Sequence, residues 1–161
     1  MAVDGVRKAT ESVDTYNVIH DVISSNVTDP LTGRASNKFI FSGFPNPNDF
    51  LSAKAGPKSW QYPIITIEVG DITRDPLTVD SAQTISKGTV DVEIEVHARA
   101  SLERNQLRDD VLNQLYSNAS ELANKACLHS MILLGTTNDT EYMGEVKVRV
   151  NKISLRFSRI D

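Results

Sequence analysis

The sequence predicts an α+β fold, with a mostly antiparallel sheet of about four to five strands and two helices packed on one face. Residues 6–24 repeat apolar side chains at three- and four-residue steps, which is typical of an amphipathic helix. Residues 89–98 alternate apolar and polar side chains, which is typical of a strand with one buried face. The predicted order is helix, strand, strand, long arm, strand, helix, strand, and it favours helices layered on an antiparallel sheet.

The first half of the chain contains one helix and two short strands. Asp4 can cap the helix at 6–24, and Asp29 with Pro30 begins a turn after it. Residues 38–42 predict a short strand. Residues 62–69 are rich in β-branched side chains and predict another strand, with a proline near its start where a proline is tolerated.

The second half begins with the alternating strand at 89–98. Ser101 can cap the helix that follows, which is predicted to run to about Lys125. The apolar residues 131–134 are ambiguous, and residues 135–140 predict a turn.

The last predicted strand spans residues 144–159 and has two apolar phases. Val146, Val148 and Val150 form one phase, and three later apolar residues form the other. The slip between the phases, at Asn151 and Lys152, predicts a β-bulge or a bend.

Composition limits the classes of function. The chain has 161 residues, of which 40% are hydrophobic, and this is enough for one domain over residues 1–161. No apolar run approaches the ~20 residues of a membrane span, and the charged N-terminus is unlike a signal peptide, so we expect a protein assembled in a cytoplasm and no membrane partner. The net charge of −4 argues against general nucleic-acid binding but allows a local basic patch.

Residues that could carry catalysis are scattered. The three histidines, His20, His97 and His129, lie in separate elements without metal-ligand spacing. The best case for an enzyme is a metal-dependent hydrolase that uses acidic residues to hold a divalent cation, and the residues are Asp71, Asp75 and Asp80. The glycine and the terminal glutamate of a calcium loop are missing from that segment. We therefore expect no catalytic residues, no metal and no cofactor.

Two segments of weak pattern, 43–61 and 70–88, predict long loops or arms, which are uncommon in compact domains unless they are functional. Five of their large side chains are candidate contacts to a neighbouring subunit: Phe50, Trp60, Ile72, Leu77 and Val79. The alternative, at even weight, is that the segments fold back onto their own core.

Charges also form two stripes on predicted strands. An acidic stripe comprises Asp91, Glu93 and Glu95, and a basic one comprises Lys147, Arg149 and Arg156. If the strands are antiparallel neighbours, the stripes pair within the chain. Otherwise they can meet across a head-to-tail interface between subunits.

In the order of these elements the chain resembles the tail terminator proteins of long-tailed (siphovirus-type) bacteriophages. The features that carry the resemblance are the leading helix, the strand Tyr-Pro-Ile-Ile-Thr-Ile-Glu-Val from residue 62, the polar arm after it, and the strand Gly-Thr-Val-Asp-Val-Glu-Ile-Glu-Val-His-Ala-Arg from residue 88 that leads into the helix at Ser101. Other neck, tail completion and head–tail joining proteins share much of this pattern.

The resemblance implies a structural protein of the virion tail or neck. It implies a homo-oligomeric ring, expected to be a hexamer, that caps the tail tube, stops its polymerisation and presents a surface to the head completion or connector protein. DNA would pass through the lumen without sequence-specific binding. By the same analogy, the arm between Asp71 and Lys87 would contact the next subunit or the tube.

Overall fold

A computed structural model describes residues 4–45, 62–76, 86–143 and 146–160. Three helices occur in this part of the chain: α1 (Asp4–Asn26), α2 (Ser101–Ser117) and α3 (Ala119–Ala126). The five described strands are β1 (Ile40–Ser42), β2 (Ile64–Pro76), β3 (Ser86–Ala98), β4 (Leu128–Met143) and β5 (Val146–Ile160). A single turn of 3-10 helix, Ser36–Lys38, precedes β1.

The five strands form one sheet in the order β1-β2-β3-β5-β4. Only β1 and β2 are parallel, and every other neighbouring pair is antiparallel. The helices pack on one face, here called the helix face, and this confirms the predicted α+β class. None of the helices in the described segments has the length and hydropathy that crossing a membrane requires.

The main core lies between the helices and the helix face. On the sheet side it contains the apolar residues of β3 together with Ile153, Leu155 and Phe157 of β5. On the helix side, Ile19 and Ile23 of α1 and Val111 and Leu115 of α2 have almost no solvent exposure. The three-and-four spacing of the helices and the two-residue spacing of β3 both place their apolar side chains here.

Strand β5 faces two cores. Its pairing with β3 runs without a register shift from Lys87↔Ile160 to Ala98↔Arg149, so the predicted bulge at Asn151 and Lys152 is wrong. The phase of Val148 and Val150 belongs to a smaller cluster on the other face, here called the open face, together with Tyr62 and Ile64. A regular strand can show two apolar phases when each half is buried on a different face.

Three other sequence-based expectations need correction. The predicted turn at 135–140 is part of β4, and the ambiguous residues 131–134 belong to the same strand. Ala100, not Ser101, occupies the cap position of α2, and no side chain caps that helix end. In the arm predicted at 70–88, the described residues 70–76 and 86–88 belong to strands β2 and β3.

A buried ion pair fixes the segment between α1 and β1. The Arg34 guanidinium donates to both carboxylate oxygens of Asp29, at 2.7 and 2.6 Å, and both side chains are largely buried. The same guanidinium donates to the backbone carbonyl of Pro63, just before β2, at 2.7 Å. It also lies over the Phe39 ring, 4.8 Å from its centroid. One side chain thus joins the turn after α1 to the start of β2.

We expect Arg34→Met to lower the free energy of unfolding by about 3 kcal/mol, because Asp29 would remain buried without its partner. Lys125→Met is the control, since it breaks the exposed pair with Glu121 and should leave stability unchanged within error. Urea unfolding followed by circular dichroism measures both. Equal stability of the two variants would contradict a structural role for the Arg34 network.

Candidate interaction surfaces

Strand β4 is the exposed edge of the sheet. It has 16 residues and is hydrogen-bonded to β5 on one side, and no other described strand pairs with it on the outer side. A strand in this position presents a row of backbone N–H and C=O groups that can pair with another chain. The opposite edge, β1, offers only three residues.

The first half of β4 also exposes apolar side chains. Ile132 is 52% exposed and Leu134 is 51% exposed, and Leu133 between them is 39% exposed. Register shifts on either side of Ile132 and Leu133 interrupt the regular alternation of the strand. Consecutive apolar residues are therefore exposed at the edge, a combination that marks sites of association between chains.

An apolar groove lies beside this part of β4. It has a volume of about 350 Å³ and is formed by α2, α3 and the beginning of β4, with Tyr116, Leu122, Met131 and Phe157 among its lining residues. Tyr116 is largely exposed at its margin. The groove is thus a second apolar surface near this edge, on the helix face of the sheet.

The open face carries a ladder of charges between β3 and β5. Arg156 donates from Nε and Nη2 to the two carboxylate oxygens of Asp91, at 2.7 and 2.9 Å. Lys152 Nζ lies 3.4 Å from Glu95 Oε1. The hydrogen bonds from Arg156 lower the pKa of Asp91. These residues stand directly opposite each other across the strands, so their charges pair within the chain.

Glu93 lies in the same stripe but faces another acid. Its partner in the β2–β3 register is Glu68, and Ser154 faces it from β5. Burial raises the pKa of Glu93, and the nearby charges of Glu95 and Glu68 raise it further. Glu93 and Glu68 also line a surface cavity of about 410 Å³, with Asp71 and Leu134. Negative charge is thus concentrated at this point of the open face.

His97 ends the acidic stripe and is buried. Its Nε2 lies 3.0 Å from Glu95 Oε2, and its ring packs against Phe44 with the centroids 5.1 Å apart. Its Nδ1 has no hydrogen-bond partner in the described residues. Burial lowers the pKa of the imidazole, although Glu95 opposes the effect. The sequence placed His97 at the end of a strand but did not reveal this environment.

Only Arg156 of the predicted basic stripe lies opposite the acids. Arg149 pairs with Ala98 and Lys147 is two residues before it, so both occupy the helix-face phase of β5. The sequence grouped the three residues because each alternates with apolar neighbours. They lie on different faces because the apolar phase of β5 changes midway.

Of the five arm residues proposed as subunit contacts, Ile72 lies in the described part of the chain. Ile72 is half-buried and packs against the main core. Phe50, Trp60, Leu77 and Val79 lie outside the described residues.

The three aspartates of the metal hypothesis are also only partly described. Asp71 is exposed, Asp80 lies outside the described residues, and for Asp75 only the backbone position is described. In the described part of the chain, no group of three histidine, cysteine or acidic side chains could hold a metal ion.

In comparisons with known proteins, no family model and no curated protein sequence matches this chain. The case for a function therefore depends on the sequence and on these surfaces. Sequence reasoning missed the edge strand, although the apolar run at 131–134 signalled it. A run of four apolar residues next to a polar, threonine-rich segment does not distinguish a helix end from the beginning of a strand.

Glu93→Gln should stabilise the protein at pH 7, because the folded state raises the pKa of Glu93 and the ionised form is therefore unfavourable. The gain should be present above the folded pKa and should disappear below the ordinary glutamate pKa of about 4.3. Thermal melts of wild type and variant, at pH 7 and at a pH below about 4, measure this gain in stability. Glu121→Gln, on the exposed surface of α3, is the control. A destabilised Glu93→Gln at pH 7 would show that the ionised carboxylate supports the fold.

Proposed function

We propose that this chain is a structural assembly protein of a bacteriophage tail that forms a homo-oligomeric ring, expected to be a hexamer, on the end of the tail tube. In this role it stops tube polymerisation and offers a surface to the head completion or connector protein, while DNA passes through the lumen. The observation that carries the assembly part of the proposal is strand β4, a 16-residue edge with exposed apolar side chains.

A long unpaired edge of this kind is unfavourable for an isolated chain. Unpaired backbone groups beside exposed leucine and isoleucine favour association, and proteins usually protect long edges with charges, prolines or bulges. Residues 131–134 contain none of the charges or prolines, although register shifts flank them. Pairing with another subunit would satisfy the backbone groups and remove Ile132 and Leu134 from water together.

The identity of the assembly rests on the resemblance in the order of elements. The structure has the leading helix, the β2 and β3 strands and the following helix in that order. In a ring of identical subunits, one surface of each subunit binds a different surface of its neighbour. The ring closes when the rotation between neighbours divides a full turn evenly. The apolar edge at β4 supplies one such surface.

The experiment compares wild type with Ile132→Lys/Leu134→Lys, which places two charges on the edge. Light scattering at high concentration, together with negative-stain images with and without tail tubes, measures assembly. We expect wild type to form rings of about six subunits, alone or on tubes. The edge variant should associate at least ~30-fold more weakly, which corresponds to the loss of one interface hot spot.

Val13→Lys/Leu102→Lys is the matched control, because it adds the same charge at two exposed apolar positions on α1 and α2. It should assemble like wild type. A wild-type chain that stays monomeric at all concentrations and does not bind tail tubes would contradict the proposed function. Equal loss of assembly in both double variants would show that β4 is not the contact.

A further inference from the structure

A cluster of arginines lies where α2 packs over β5. Arg104 and Arg108 are one helical turn apart on α2, so they share a face. Arg149 lies on β5, in the phase that faces α2. Burial lowers the pKa of Arg104, and the positive charges of Arg108 and then Arg149 lower it further.

The positive charge of this cluster is only partly compensated. Arg104 is 8% exposed, and its Nε and Nη2 donate to the amide oxygen of Asn105 at 3.1 and 3.0 Å. Arg108 pairs with its neighbour Asp109 at 2.9 Å. Among the described residues, no carboxylate lies within ion-pair distance of Arg104 or Arg149. A nearly buried cation surrounded by like charges is unfavourable unless an anion accompanies it.

The surface around the cluster extends the positive charge along the sheet. Lys147 is exposed and precedes Arg149 by two residues, about 7 Å along the same face of β5. Thr140 and Tyr142 of β4 face these two residues in the register, and Tyr142 is 69% exposed.

The acidic residues of this part of β4 point away from the row. Asp139 and Glu141 pair with Val150 and Val148, so they belong to the open face. The row of Lys147, Arg149, Thr140 and Tyr142 therefore contains hydrogen-bond donors, an aromatic ring and no acid.

We propose that Arg104, Arg108 and Arg149, extended by Lys147, bind the phosphate groups of a nucleic-acid backbone without reading its sequence. The planar fork of guanidinium donors matches the oxygens of a phosphate, and Arg104 is held in place by Asn105 before a ligand arrives. A row of cations suits the regularly spaced phosphates of a nucleic-acid backbone. Contacts to phosphate alone carry no sequence information. The chain as a whole carries a net charge of −4, so this positive patch is opposite in sign to the overall charge.

The test compares K147Q/R149Q with K38Q/K87Q, which removes the same charge from two exposed lysines far along the chain. Anisotropy of a labelled DNA duplex is measured between about 50 and 200 mM salt. Wild type and K38Q/K87Q should bind alike. K147Q/R149Q should bind about tenfold more weakly or worse, with a salt slope reduced by about two, because two phosphate contacts are lost.

Two further measurements distinguish free phosphate from the phosphates of a nucleic-acid backbone. Inorganic phosphate, compared with chloride at equal ionic strength, should raise the melting temperature of wild type but not of K147Q/R149Q if a single phosphate fills the cluster. Duplex binding without this shift supports a site that needs the continuous backbone. Lys147→Gln alone serves as the second variant if the double variant folds poorly, since its side chain is exposed.

The same measurements on Ile132→Ser/Leu134→Ser, which changes the apolar edge without adding positive charge, separate this inference from ring assembly. A monomeric edge variant that still binds duplex supports the phosphate site whether or not the chain forms rings. The proposal is overturned if wild type binds neither duplex nor phosphate, or if both charge-matched variants lose affinity equally. It is also overturned if polyglutamate competes as well as duplex, because the cluster would then be a site for carboxylates of a protein partner.

Discussion

The fold depends on the pairing of β3 with β5. Twelve residue pairs join these strands in unbroken register, from Lys87↔Ile160 to Ala98↔Arg149. At one end the pairing places Val90 and Phe157 under the helices, and at the other it places Val150 beside His97 on the open face. Because a strand alternates its side chains strictly, this register decides which residues are buried and which charges meet. A shift of β5 by one residue would place Arg156 in the helical core and Phe157 on the open face.

The same register explains why some features could be predicted from the sequence and others could not. The buried apolar side chains described in α1 and in β3 lie on one face of each element, so their periodicity is visible. The first half of β5 is buried on the open face and the second half on the helix face. The sequence pattern of this regular strand therefore resembled that of a bulged strand. Lys147 and Arg149 were grouped with Arg156 for the same reason, although they lie on the opposite face. Face assignments fail where a strand contributes to two cores.

Strand β4 was missed for a different physical reason. It has few buried side chains, and its hydrogen bonds to β5 are backbone contacts that leave no pattern of apolar residues. Asn138 and Asp139 are of residue types that dominate turns, so this segment resembles a loop in the sequence. The arginine cluster is also invisible in the sequence, because Arg149 is more than 40 positions away from Arg104 and Arg108. Only the packing of α2 over β5 brings Arg104 near Arg149.

The central claim is that the outer edge of β4 pairs with a second subunit. Hydrogen–deuterium exchange measures this most directly, because an edge amide is protected only when a carbonyl outside the chain accepts its hydrogen bond. We expect that roughly half of the amides in residues 128–143, those that point away from β5, exchange rapidly in the dilute protein and become protected when the chain assembles, while peptides from α2 keep their rates. Assembly without a change in the exchange of β4 would contradict it.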